Sequence, residues 1–292
     1  MPRTSKDPTS KDPAASQPPW LRASTFSSMG TAISLTLAGS RPGLETRPAD
    51  RLTPEGQRPD DELAAAAAVV ERIFRELDQS FSLYLPHSEA SLIARGELPL
   101  PEASEVTRGL FAEALEWRLR TEGAFTPERA DGVLDLSGLV KGHAIREAGT
   151  SLLALGQQDW CLNAGGDVLV SGSPVPGSGE AWRAGIVDPF DRTALLAGCT
   201  LGNGRRRHHA LATSGTAERG DHIWLAARTD PAFVQVSVLA GDIVTADVLA
   251  TAIFAGGLPM LDRATDGWDI DVLAVRTGGE LLATPGFTAT GA

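Results

Sequence analysis

The sequence has 292 residues, of which 42% are hydrophobic, and its formal net charge at pH 7 is -11. The hydrophobic fraction is ordinary for a globular protein and excludes general disorder, while the length allows one large domain or two small ones. The negative charge argues against nucleic acid and anionic lipid as main partners. An acidic protein that binds phosphates needs local positive charge, which a divalent cation held by oxygen ligands can supply.

The N-terminal segment predicts a disordered tail. Residues 1–22 are rich in Pro, Ser and Lys and repeat the tetrapeptide Ser-Lys-Asp-Pro, a composition that is typical of disorder. They contain no apolar signal-peptide core and no lipobox, and no later apolar run looks long enough to span a bilayer. We therefore expect a cytoplasmic protein without a transmembrane segment.

The first half of the folded region predicts one strand and two helices. Residues 24–39 indicate a strand because apolar and smaller residues alternate along it, and the polar, Pro-rich residues 40–60 predict a loop. Residues 61–84 predict a helix, and residues 106–123 predict a second one that stops at Gly123. The apolar face of the first helix is expected to contain Val69, Ile73, Leu77 and Phe81.

The second half predicts several short strands and one more helix. That helix covers residues 245–257 and is expected to end at its glycines, while residues 271–287 predict a hairpin around Thr277-Gly278-Gly279. Helices interrupt the strands without a strict βαβ rhythm, so we expect an α+β fold with mixed sheets. The predicted strands lie at 160–172, where a Gly-Gly pair marks a tight turn, and at 182–189, 194–202, 208–215, 222–228 and 233–241.

The segment LDLSGLVKGHAIREA, residues 134–148, carries the first functional motif. A short apolar strand turns at Ser137-Gly138 and enters a helix that has Lys141 in its first turn. The free N–H groups and the positive dipole end at such a helix start favour anions. This pattern indicates a site for a phosphorylated ligand, although Lys141 is equally well explained as a solvated lysine on a helix.

The segment TADVLATAIF, about a hundred residues further on, carries the second motif. Asp247 and Thr251 lie four residues apart in a helix, so their side chains share one face. A hard cation such as Mg²⁺ takes few protein oxygens and completes its shell with water or phosphate. The alternative is that Asp247 caps the helix and Thr251 only packs. Gly138 could add a carbonyl ligand, but only if the two segments meet in space.

Two cysteines and one histidine complete the candidates. Cys161 and Cys199 lack the spacing of metal ligands or redox motifs and are expected to be buried free thiols, with a disulfide as the unsupported alternative. His222 follows a turn-rich stretch and starts a predicted strand. By itself it indicates no more than a surface histidine or one with satisfied hydrogen bonds.

Eight segments of the chain occur in the order that is typical of one protein family. From about Phe26 to Phe287, the chain resembles the ApbE-type FAD:protein FMN transferases, and it is the ordered series rather than any single motif that carries the resemblance. The segments are SSMGTAISLTL, LDQSFSLYLPHSEASLIARG, GAFTP, LDLSGLVKGHA, LNAGGDVLVSG, WRAGIVDP, LATSGTAERGDHI and TADVLATAIFAGG.

The resemblance implies a fold and a reaction. It implies a single T-shaped α/β domain over residues 23–292, with FAD in a cleft between two lobes and Mg²⁺ at the diphosphate. It also implies transfer of FMN from FAD to a threonine hydroxyl of an acceptor flavoprotein, with release of AMP. The alternatives are an FAD diphosphatase that gives FMN and AMP, and a non-catalytic FAD-binding protein.

The resemblance also implies which residues form the site. Those expected to contact FAD are Met29, Tyr84, Ala124, Phe125, Thr126, Asp135, Lys141 and His222. Those expected at the metal are Gly138, through its carbonyl, Asp247, the Ala250 position and Thr251. Charge neutralisation across two phosphates is the main catalytic requirement. The acceptor hydroxyl also needs a base, for which His222 and Asp247 are both candidates.

The chain departs from the family pattern around residue 126. Thr126 stands where the family usually has an acid after Gly-Ala-Phe, so one polar contact changes character. The segment that follows is reduced to ERADGV, residues 128–133. We therefore expect a wall on the adenine side of the cleft to be missing.

Overall fold

The computed structural model describes residues 18, 20–39, 59–202, 208–215, 232–287 and 289. Within them, strands and helices alternate irregularly, which confirms the predicted α+β class. The strands are β1 (Leu21–Ser28), β2 (Thr31–Ala38), β3 (Trp160–Ala164), β4 (Asp167–Ser171), β5 (Trp182–Val187), β6 (Leu195–Leu201), β7 (Ala210–Gly215), β8 (Phe233–Ala240), β9 (Asp271–Arg276) and β10 (Leu281–Ala283). The helices are α1 (Pro59–Phe81), α2 (Glu89–Ala94), α3 (Glu105–Arg120), α4 (Ser137–Ala154) and α5 (Ile243–Gly267), with a 3-10 turn at Leu100–Glu102.

Eight of these strands form one sheet in the order β1-β2-β3-β4-β7-β8-β9-β10, and β5 pairs with β6 separately. Every strand pair in the described ranges is antiparallel, so the expectation of sheets with mixed strand directions is wrong. A helical segment between two strands does not determine whether those strands run parallel or antiparallel. Here α1 to α4 are inserted between β2 and β3, and α5 is inserted between β8 and β9, and both connections return the chain antiparallel.

The single strand predicted over residues 24–39 is a hairpin. β1 begins at Leu21, two residues before the expected start of the domain, and a turn at Met29-Gly30 reverses the chain into β2. Both turn residues have positive φ, 51° and 71°, as the tight turns that suit the twist of a hairpin require. The predicted alternation is confirmed in β2, where every second residue, Ile33, Leu35 and Leu37, is fully buried.

Alternate residues of the central strands pack on opposite faces of the large sheet. On one face, Leu162 of β3 and Val238 of β8 join a core formed with α1, α4 and α5. On the other face, Leu211 of β7 and Leu239 of β8 pack against Trp182 and its neighbours on the β5–β6 hairpin. The helices therefore lie on one face and the hairpin covers the other, which leaves the helical layer to build the site.

The buried face of α1 is rotated from the predicted one. Leu77 and Phe81 are buried as expected, but Val70 and Phe74 are also fully buried, while Val69 and Ile73 are only half-buried. The sequence has apolar residues both at Val69 and Ile73 and at the next positions, Val70 and Phe74. Helical periodicity alone therefore does not determine which pair is buried. Packing decides, because Phe74 meets the Phe26 ring of β1 edge-on, with centroids 6.0 Å apart.

Helix α5 does not end at its glycines. Gly257 has non-helical angles (φ 69°, ψ -153°) that break the helix, and a second helical segment with Pro259 near its start continues to Gly267. By length and composition α5 could span a bilayer, contrary to our sequence expectation, yet 72% of its most apolar window is buried inside the protein. Its many buried apolar residues allow it to pack on β7, β8 and α4. The cytoplasmic location stays a prediction.

Both cysteines are free, in agreement with the sequence analysis. Burial raises the pKa of the Cys161 thiol to about 12 and that of the Cys199 thiol to about 11. The neutral thiols therefore act as small apolar groups in the sheet. The strand predicted at 222–228 lies outside the described residues.

The orientation of α1 can be tested with two adjacent valines. Val70→Ala should lower the free energy of unfolding by about 2 kcal/mol, because it removes two fully buried methyl groups. Val69→Ala is the matched control and should cost less than half as much, since Val69 is only half-buried. Urea denaturation followed by circular dichroism measures both values. An equal or larger loss for Val69→Ala would show that the face is assigned wrongly.

Candidate functional site

A cavity of about 710 Å³ lies on the helical side of the sheet and has the size of a typical small-molecule site. Its walls come from the β1–β2 turn, the end of α1, residues 124–141, the β3–β4 turn, the end of β7, and α5. Of the predicted site residues that the structure describes, all line it except Ala250. These lining residues are Met29, Tyr84, Ala124, Phe125, Thr126, Asp135, Gly138, Lys141, Asp247 and Thr251.

One wall is the turn between β1 and β2. Met29 holds a left-handed conformation (φ 51°), which is uncommon for a residue with a side chain. Its backbone N–H donates a hydrogen bond to Asp78 Oδ2 of α1 at 3.2 Å. Asp78 also lines the cavity. The contact therefore fixes a strained turn at the cavity wall, while Tyr84, beyond the end of α1, is 82% exposed at the mouth.

The start of α4 forms a second wall. Asp135 Oδ1 accepts a hydrogen bond from the Ser137 N–H at 2.9 Å, which holds the chain as it enters the helix. Gly138 lies in the first turn, where an added Cβ would be 3.1 Å from Phe125 Cε2. A side chain at Gly138 would push the buried Phe125 ring. The glycine thus allows this ring to pack beside the helix start.

The shortened segment after Thr126 is a tight hairpin. Arg129 and Val133 are joined by a hydrogen bond of 2.9 Å between the Arg129 N–H and the Val133 carbonyl, and the Asp135 N–H donates to the Pro127 carbonyl at 2.7 Å. Glu128 and Arg129 both line the cavity. Although the segment is short, it still supplies side chains to the cavity wall.

A buried group of three charges joins three elements of the fold. Lys141 of α4 is 6% exposed, and its ammonium forms ion pairs with Asp167 of β4 and, at 3.5 Å, with Asp247 of α5. Asp167 is fully buried, and its Oδ1 accepts a hydrogen bond from the Thr213 N–H of β7 at 3.1 Å. The Lys141–Asp247 pair shows that the two sequence motifs meet in space. It rules out a solvated Lys141.

Oxygen atoms of α5 face the cavity beside this charged group. The Thr251 hydroxyl hydrogen-bonds to the Ser214 hydroxyl at 3.1 Å. Asp247 is 4% exposed, and within the described part of the chain its Oδ2 has no hydrogen-bond donor. Asp247 does not cap α5, because Asp242 does so by accepting from the Thr245 N–H at 2.9 Å. The capping alternative for Asp247 is therefore excluded.

Two predicted site residues are not among those that line the cavity in the described ranges. Ala250 is fully buried in the core on the helical side and is not among the residues lining the cavity. His222 lies outside the described residues. Within the described ranges, no cluster of three or more His, Cys, Asp or Glu side chains could hold a metal ion.

The comparisons with known proteins point to one family. The model of the ApbE family matches residues 126–266, which contain both motifs and their buried ion pair. A FAD:protein FMN transferase from Rhodobacter capsulatus is 34% identical over 167 residues, or 53% of this chain. Over residues 126–266 the chain is therefore similar to the ApbE family. The chain spans about 30% of the length of that relative.

Solved ApbE structures share the fold over nearly the whole chain. The ApbE protein of Thermotoga maritima has a TM-score of 0.70 and 20% identity, and the match covers 91% of this chain and 97% of that one. The flavin transferase ApbE of Vibrio cholerae has a TM-score of 0.66 and 20% identity, with 91% of this chain and 98% of that chain covered. The predicted ApbE-like fold is confirmed.

Sequence reasoning missed several residues that line or support the cavity, notably Asp78, Arg129, Asp167 and Ser214. Asp167 carried a usable signal, since it is an acid at the start of an apolar strand, and such an acid needs a partner when buried. Ser214 lies in a segment that the family resemblance already included. Asp78 and Arg129 carried no comparable signal, because charged residues on a helix and in a turn are usually solvated.

The buried ion pairs predict a large effect at Asp167. Asp167→Asn should lower the free energy of unfolding by about 3 kcal/mol, because Lys141 would keep only its longer contact with Asp247. Asp262→Asn is the matched control, since Asp262 is exposed on α5, and should change the value by less than about 0.5 kcal/mol. Urea denaturation measures both variants. Similar losses would show that the ion pair does not support the fold.

Proposed function

We propose that this chain is a Mg²⁺-dependent FAD:protein FMN transferase, which moves FMN from FAD to a threonine hydroxyl of an acceptor flavoprotein and releases AMP. The observation that carries the proposal is the Lys141–Asp247 ion pair, at 3.5 Å, because it joins the helix start of the first motif to the oxygen ligands of the second. The name of the Rhodobacter relative and the ApbE fold support the same activity.

The oxygen atoms on α5 fit a magnesium ion. Asp247 offers a buried carboxylate oxygen, Oδ2, that no donor of the described residues satisfies, and Thr251 offers a hydroxyl on the same helix face. We propose these two residues as ligands together with the carbonyl of Gly138, which lines the same cavity. A single carboxylate is sufficient for this ion, because Mg²⁺ binds one or two carboxylates and keeps waters or substrate phosphate.

When bound, Mg²⁺ would supply positive charge that neutralises the diphosphate of FAD. The bond that breaks in the transfer joins the phosphorus of the FMN half to the bridging oxygen. The threonine oxygen of the acceptor forms a bond to the phosphorus of FMN, and AMP leaves with the bridging oxygen. The proton of the threonine hydroxyl passes to a base, for which we propose His222 or Asp247. The Ser214 hydroxyl holds Thr251 in place through their 3.1 Å hydrogen bond.

The remaining lining residues fit the two ring systems and the phosphates of FAD. Phe125 and the exposed Tyr84 offer aromatic surfaces on which a flavin or adenine ring can pack. The N-terminus of α4 directs its positive dipole end at the cavity, where an anion is favoured. We propose Met29, Ala124, Thr126 and Asp135 as further contacts to FAD, because all four line the same cavity.

A substitution that preserves volume tests the role of Asp247. Asp247→Asn should lower the rate of AMP release from FAD by about a hundredfold or more, because it removes the carboxylate charge that would hold the cation. Asp262→Asn, exposed on the same helix, should keep the rate of the unchanged protein. AMP release is followed by chromatography, and circular dichroism shows that the variant is folded. Full activity of Asp247→Asn would contradict the proposed metal site.

The same assay separates the three candidate activities. The protein is incubated with FAD and Mg²⁺, with a candidate acceptor domain, and with that domain carrying valine in place of its target threonine. Transfer predicts in-gel flavin fluorescence only on the threonine form, and loss of AMP release when EDTA removes the cation. AMP release that is independent of acceptor would instead indicate a diphosphatase. Tight FAD binding without AMP release under all conditions would indicate a binding protein.

A further inference from the structure

The Lys141 ammonium is shared unequally between two carboxylates. It contacts Asp167 of β4 more closely than Asp247 of α5, whose Oδ1 lies 3.5 Å from the ammonium nitrogen. The attraction between opposite charges falls with distance, and it is strong where water is excluded. Asp167 therefore balances most of the lysine charge, and only part of that charge acts on Asp247.

Asp167 is held in a position from which it keeps this ammonium. It is the first residue of β4 and is fully buried. Its Oδ1 accepts the Thr213 N–H of β7 at 3.1 Å, while its Oδ2 binds Lys141. The Thr213 hydroxyl in turn forms a hydrogen bond of 2.9 Å with the Ser237 hydroxyl of β8. Contacts within the large sheet thus fix the carboxylate that binds Lys141.

The two carboxylate oxygens of Asp247 have different surroundings. Oδ1 faces the Lys141 ammonium, and Oδ2 has no hydrogen-bond donor among the residues that the structure describes. Oδ2 lies against Gly142 of α4, where an added Cβ would be 3.2 Å from it. Gly142 is one helical turn after Gly138, which we propose as a carbonyl ligand. The free oxygen of Asp247 therefore packs beside the same turn of α4.

We propose that Asp167 determines the cation affinity of the Asp247 carboxylate by holding the Lys141 ammonium away from it. The inference rests on the proposed function, since it concerns the magnesium site named there. An ammonium and a metal ion compete for the charge of one carboxylate. Asp167 is not among the described residues that line the cavity. It is thus a positioning residue, which acts on the site through Lys141.

A purely structural role for Asp167 predicts a different pattern of variant effects. If Asp167 only stabilised the packing of β4 on α4, removing Lys141 in addition would not improve cation binding. If Asp167 instead controls the competing ammonium, its loss harms the site only while Lys141 is present. The two roles are therefore separated by a double variant in which both charges are removed.

Binding of Mn²⁺ in the absence of FAD tests the inference without turnover. Mn²⁺ suits the same carboxylate, carbonyl and water ligands as Mg²⁺, and the electron paramagnetic resonance signal of the free ion gives its dissociation constant. Asp167→Asn should weaken Mn²⁺ binding about tenfold, because Lys141 then pairs with Asp247 alone. Asp167→Asn combined with Lys141→Met should bind Mn²⁺ within about threefold of the unchanged protein, since both partners of the ion pair are removed together.

Two controls accompany the titrations. Asp262→Asn, exposed on α5, should leave the Mn²⁺ affinity within about twofold of the unchanged value, because exposed charges are screened. Circular dichroism shows that each variant is folded at the temperature of the titration. The stability loss expected for Asp167→Asn is smaller than the total stability of an ordinary domain, so this variant should fold.

The outcomes separate this inference from the proposed function. Unchanged Mn²⁺ binding by Asp167→Asn would overturn the role of Asp167, and so would a loss that the double variant does not restore. If Asp247→Asn abolishes Mn²⁺ binding in either case, the metal site stands without this role; if Asp247→Asn has no effect, both are refuted. The predicted loss and restoration in a protein that never releases AMP from FAD would support the role of Asp167 while refuting the transferase proposal.

Discussion

The arrangement of the site depends on one buried lysine. Lys141 lies in α4 and binds carboxylates from β4 and α5, so a single ammonium connects the helix start of one motif with the Asp247 carboxylate of the other. Removing three charges from water is expensive, and the ion pairs compensate only while all three groups keep their geometry. The sequence predicts Lys141 as a contact to the ligand. In the structure its ion pairs also connect three elements of the fold and position Asp247.

The sheet explains why these elements meet. Its central strands pack the helices on one face and the β5–β6 hairpin on the other, so α4 and α5 are neighbours although about a hundred residues separate their motifs. Asp167 reaches Lys141 from the end of the tight β3–β4 turn, where Gly165 and Gly166 both have positive φ. The Gly-Gly pair therefore forms the tight turn that the sequence predicted, and this turn positions Asp167.

The cavity combines a fixed floor with a simpler side wall. Buried ion pairs and the Ser214–Thr251 hydrogen bond fix the floor. The side wall is a short hairpin held by main-chain hydrogen bonds, and its charged side chains are partly exposed. The buried charged groups of the floor are thus held in fixed positions beside a wall of partly exposed side chains.

The sequence by itself determined the α+β class, the family resemblance, the inward residues of β2 and ten of the residues that line the cavity. The fold class and the inward residues of β2 follow from local patterns, namely alternation and turn residues. Contacts such as Met29 and Tyr84 follow only from the resemblance to the family. Only the tertiary structure decided the hairpin at Met29-Gly30, the face of α1, the break inside α5 and the antiparallel return of each strand, because several arrangements satisfy the same local pattern. It also decided that Lys141 is buried and that Asp167 is its partner, since a contact between distant segments depends on how strands and helices pack.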